Sequence, residues 1–95
     1  MLKFHLDILK EFKPVGRQAK VILFGSLVRG DYRLDSDIDL AVITRDERLI
    51  KLSSSIADRI LIKYGKLVSL KFIDEKDFEK GKTPLIDEIK RGMTI

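Results

Sequence analysis

Phe24-Gly25-Ser26-Leu27-Val28-Arg29-Gly30-Asp31-Tyr32-Arg33-Leu34-Asp35-Ser36-Asp37-Ile38-Asp39-Leu40 is a polar, glycine-bearing segment caught between two apolar runs. Gly25-Ser26 closes the first run, Ala19 to Phe24, whose length suits a buried strand better than a helix. Glycine there lets backbone N–H groups approach a ligand, and the serine adds a hydroxyl donor. A helical turn opening at Leu27 would aim its amides and positive dipole end at the same spot, which suits phosphate oxygens. Arg29 would add a fixed positive charge. At the other end, Asp37 and Asp39 are two positions apart in a second predicted strand, residues 37–43. Their carboxylates would leave one face about 6.6–7 Å apart, while Ile38 and Leu40 point into the core. Two carboxylates so placed repel one another unless a cation lies between them, and Mg²⁺ takes one or two carboxylates together with phosphates and water.

Outward from this segment, Leu2, Leu6, Leu9 and Phe12 recur at helical spacing and predict a helix over 2–13, ending before Pro14. Residues 15–18 read as a connector. A long helix is expected over 46–64, with Leu49, Leu52, Ser53, Ile56, Ile60 and Leu61 facing inward and Gly65 after its end. Residues 67–73 predict a third strand, and 84–91 a last helix with Pro84 in its first turn and Gly92 beyond it. The fold class is therefore α/β (α+β): a small, twisted, mixed sheet packed with helices, one of its faces expected to stay open.

The 95 residues allow a single domain, residues 1–95, without a separate substrate domain. An apolar content of 44% beside 36% charged residues excludes a disordered or fibrous chain, and no apolar run approaches the ~20 residues that span a bilayer. With no signal peptide pattern and no cysteine, a cytoplasmic location is expected, and thiolate metal sites and cysteine nucleophiles are excluded. The net charge of +4 is uneven: residues 31–47 form an island of −4 inside a basic chain. That contrast suits a metal beside a polyanionic ligand. Lys63, Lys66, Lys71, Lys76, Lys80 and Lys82 read as solvated charge, and His5, the single histidine, as a packing residue. Nucleic acid is an unlikely partner, because the aromatic residues fall within apolar patterns and offer no stacking platform.

Gly-Ser followed after ten residues by Asp-x-Asp, with Arg29-Gly30 inside the spacer and Ser36 before the first aspartate, resembles the DNA polymerase β nucleotidyltransferase superfamily. The short chain is similar to its minimal nucleotidyltransferase (MNT) family. The resemblance implies nucleotide binding at Gly25, Ser26, Arg29 and Ser36, and catalytic metal ligation of Mg²⁺ by Asp37 and Asp39. It implies transfer of a nucleoside monophosphate, AMP first, from ATP or another NTP to a hydroxyl, releasing pyrophosphate. It also implies a toxin–antitoxin context with a HEPN-domain protein as partner and acceptor.

Active members of that superfamily carry a third carboxylate on the next strand. Here the aligned position is Ser69. Asp74 has the opposite strand parity, Glu75 would lie ~20 Å along the strand, and Asp77 falls beyond it. A neutral serine is a poor general base. An alternative reading follows: a catalytically impaired pseudo-nucleotidyltransferase that works as a protein-binding antitoxin.

Overall fold

The computed structural model describes residues 2–95. The chain runs α1 (Lys3–Lys10), α2 (Lys13–Gly16), β1 (Lys20–Phe24), α3 (Ser26–Arg29), β2 (Ile38–Ile43), α4 (Glu47–Tyr64), β3 (Val68–Ile73), α5 (Glu75–Lys80), α6 (Pro84–Lys90) and β4 (Met93–Thr94). The four strands form one mixed sheet in the order β3-β2-β1-β4. β1 is antiparallel to β2 and to β4, whereas β2 and β3, joined through α4, run parallel. This is the expected α/β class.

Alternation along the strands sorts the core into two layers. Val21, Leu23, Ile38, Leu40 and Val42 face one side, where Ile8, Leu9 and Phe12 of the N-terminal segment and Ile56 and Ile60 of α4 cover them. Ile22, Phe24, Ala41 and Ile43 face the other side, against Ile89 of α6 and Phe78 of α5. The second face is therefore not left open. Its cover is α5, which only Phe78 hinted at in the polar run Glu75–Lys80, together with α6. At the end of that face Asp39 and Ser69 are half-buried, and Lys71 on β3 is exposed.

Several boundaries move for local reasons. The helix expected over 2–13 stops at Lys10, and a second short helix starts at Lys13 with Pro14 in its first turn. Proline belongs at that position, because its missing N–H would have no helical partner there. Part of the expected connector is thus helical. In α4, Asp46 caps the first turn by accepting from the Arg48 N–H at 2.9 Å, and Gly65 closes the helix in the left-handed region at φ 66°. Leu49, Ser53, Ile56 and Ile60 make the buried stripe of α4. Leu52 and Leu61, expected inside, flank it at 36% and 45% exposure. An arc of the predicted width is wider than the strip of sheet it can cover.

Candidate active site

β1 ends at Phe24 and the backbone turns at Gly25, where φ is +81°. An L side chain rarely takes that conformation, and a Cβ at Gly25 would collide with the carboxylate of Asp39. Glycine thus serves both the turn and the seating of the acid directly against the backbone. α3 follows at once, its turn closed by Val28 and Arg29 donating to the Gly25 carbonyl at 3.1 and 3.0 Å, with no side chain capping its start. The left-handed Gly30 ends it. The expected turn after Gly25-Ser26 is present, one residue earlier than predicted.

Asp39 is the second residue of β2, opposite Phe24 of β1 and Ser69 of β3. The three side chains form a row across the sheet at the end of its second face. Asp37 lies just outside β2, exposed, and Ile38 donates to the Leu67 carbonyl at 3.0 Å to begin the strand. Partial burial, then the neighbouring charges of Asp37 and Glu88, hold the Asp39 carboxyl above the usual carboxylate range, and Arg29 and Lys71 offset part of this. The charge of Asp37 thus reaches the Asp39 carboxyl.

Arg29 is engaged. Its Nη1 pairs with Glu88 of α6, and its Nε lies 3.5 Å from Asp31. Glu88, which no motif singled out, joins Phe24, Gly25, Val28, Arg29 and Arg91 around a cleft of about 300 Å³. Its signal was invisible in the sequence because it comes from a C-terminal helix 59 positions away from Arg29. Ser36 sits in a tight turn, its Oγ accepting from the Arg33 N–H at 3.1 Å and its own N–H donating to the Arg33 carbonyl at 2.9 Å.

The pairing of Asp39 with Ser69 is the register assumed from the sequence. Asp74 precedes α5 at its N-cap and lies 3.9 Å from Arg45, and Glu75 and Asp77 belong to α5 itself. Among the described residues no three His, Asp or Glu side chains gather as a metal-binding group. Asp37 and Asp39 nonetheless suit a hard divalent cation: both are oxygen donors, and the pair carries two negative charges beside the Gly25 turn.

The Gly-Ser turn lies beside Asp39 of the adjacent antiparallel strand, with Asp37 just before that strand, on a mixed sheet. The chain matches the Nucleotidyltransferase domain family over residues 2–91 and belongs to it. Two proteins of Methanocaldococcus jannaschii, named as candidate protein adenylyltransferases, are each 35% identical to it. One aligns over 94 residues, covering 90% of this chain and 91% of that protein. The other aligns over 79 residues, covering 83% and 76%. A solved structure of a candidate minimal nucleotidyltransferase shares the fold with a TM-score of 0.63 and 24% identity, over 98% of this chain and 91% of that one. A toxin–antitoxin crystal structure with AMP-PNP shares it with a TM-score of 0.59 and 21% identity, over 97% and 69%. No helix among the described residues is long and apolar enough to cross a membrane.

Proposed function

We propose that the chain binds Mg²⁺ and a nucleoside triphosphate, ATP first, and transfers AMP to a hydroxyl of a partner protein. The observation that carries this reading is the packing of the Asp39 carboxylate against Gly25, so the proposed metal ligand and the proposed phosphate-binding turn are neighbours. Asp37 and Asp39 hold the metal. Gly25 and Ser26 bind the β- and γ-phosphates, Arg29 steadies the triphosphate after giving up Glu88, and Ser36 shapes the approach to Asp37. The metal, when bound, supplies charge neutralisation at the phosphates. In the transfer, the acceptor oxygen bonds to the α-phosphorus, the bond from that phosphorus to the β-phosphate oxygen breaks, and pyrophosphate leaves. The hydroxyl proton passes to solvent, since Ser69 offers no base of suitable strength. Positioning and electrostatics carry the rate.

The two adenylyltransferase-named relatives support AMP as the group transferred. The fold shared with a toxin–antitoxin complex holding AMP-PNP supports an antitoxin setting, and the HEPN identity of the partner rests on the family resemblance. Ser69 opposite Asp39 favours a second reading: an antitoxin that binds the same partner without transfer. Intact-mass spectrometry of the chain with a HEPN partner, ATP and Mg²⁺, beside an Asp37→Ala/Asp39→Ala control, separates the two. Added AMP that vanishes in the control supports transfer. A stable complex without added mass supports the second reading, and neither added mass nor a complex refutes both.

A further inference from the structure

Lys66, read from the sequence as a solvated cation, is 9% exposed. Its ammonium makes no ion pair among the described residues. Instead Nζ donates to the Leu34 carbonyl at 3.0 Å and sits 4.6 Å from the centre of the Tyr32 ring. That ring also meets the imidazole of the buried His5, edge-on with centroids 4.9 Å apart, and packs against the core. Burying an ammonium is costly unless its donors find partners. A methionine or leucine would fill the space of the lysine stem without that cost, so packing does not account for the charge.

What the charge holds does account for it. Tyr32 and Leu34 belong to the segment between α3 and β2 that delivers Asp37. The apolar anchorage of this segment is the half-buried Tyr32, which packs against the core, whereas Leu34 is 97% exposed. At its start, Gly30 and Asp31 donate to the Ser26 carbonyl at 2.9 and 3.2 Å. At its end, Ile38 donates at 3.0 Å to Leu67, the neighbour of Lys66. Between those points Lys66 supplies the hold on the backbone, from a position rigidly set by the end of α4. Lys66 and Leu67 thus hold the segment on both sides of Asp37.

We propose that Lys66 is a positioning residue: through the Leu34 carbonyl and the Tyr32 ring it fixes the segment that brings Asp37 beside Asp39. The proposal rests on the nucleotide- and metal-binding reading of those aspartates, and its test is chosen to separate the two. Hydrogen exchange of the metal-free protein would be measured across residues 31–38, and Mg²⁺–ATP affinity by calorimetry, for the wild type, Lys66→Met and Lys66→Arg. Lys66→Met should keep its fold and melting temperature, exchange faster at Ser36 and Ile38, and lose roughly 10-fold in Mg²⁺–ATP affinity, the scale of removing an outer partner of a ligand. Lys66→Arg should restore most of both. A purely structural lysine would lower the melting temperature and leave the affinity of the folded protein unchanged. That result, or unchanged exchange in Lys66→Met, overturns the proposal. Should Lys66→Met fail to fold, Tyr32→Leu removes the ring beneath the ammonium. It should speed exchange across 31–36 in the same sense, and unchanged exchange there also overturns the proposal. A wild type that binds no Mg²⁺–ATP refutes the nucleotide reading instead, while the exchange data still decide what Lys66 holds.

Discussion

Gly25 meets two demands at once, a backbone φ of +81° and the close approach of the Asp39 carboxylate. Gly25→Ala should therefore cost about 1–3 kcal/mol from the positive-φ backbone alone. It should also displace Asp39, so thermal melts should show a lower midpoint and no upward shift on adding Mg²⁺–ATP. Glu88 acts in the opposite direction. It occupies Arg29 and adds a negative charge near the place proposed for phosphates. Glu88→Gln should free Arg29 and tighten nucleotide binding about two- to fivefold, the scale of a partly exposed ion pair. Titration calorimetry checks the sign; weaker binding in Glu88→Gln would mean that Glu88 orients Arg29 productively. Glu88 and Lys66 escape a linear reading because their meaning comes from contacts made across 59 and 32 positions of the chain.

The strands do for the site what single residues cannot: they fix its register. Asp39 faces Ser69 because β2 and β3 run parallel with Ile38 opposite Val68. Ser69→Asp would place a third carboxylate beside a pair already in repulsion. Like charges directly opposite in a sheet cost about 0.2–1 kcal/mol. The metal-free variant should melt lower than the wild type, show a larger stabilisation by Mg²⁺, and transfer AMP faster in the mass-spectrometric assay. A variant with unchanged metal response would show that Ser69 does not face the metal position. The strands β1, β2 and β3 and the helix α4 were legible in the sequence because each carries a strong apolar period or an end signal. α5 and β4 were not. The first is polar except for Phe78, and the second is two residues whose only reason to be a strand is the free edge of β1.

Across the whole molecule the two apolar layers set stability, and His5 sets part of its pH dependence. Burial, and then the charge of Lys66, hold the His5 imidazole below its ordinary pKa of 6.5. Phe4, Tyr32 and Lys66 are the groups around it. Protonation thus favours the unfolded chain. Stability should be level above about pH 6.5 and fall as the pH drops below it, down to the lowered folded-state value. Denaturant midpoints from pH 7.5 to 5 should reveal this slope, and His5→Phe should remove the histidine's share of it.

By itself the sequence determined the family, the α/β class and the identity of the Gly-Ser and Asp-x-Asp groups, because these depend on residue type and short spacing along one segment. The assumed position of Ser69 came from the family resemblance, and the parallel pairing of β2 with β3 sets it opposite Asp39. Only the tertiary structure decided that the second sheet face is covered, that Arg29 is held by Glu88, and that Lys66 lies buried on the segment leading to Asp37. Each depends on where remote helices and helix ends come to rest, and that is set by burial of apolar surface over the whole chain rather than by any local pattern.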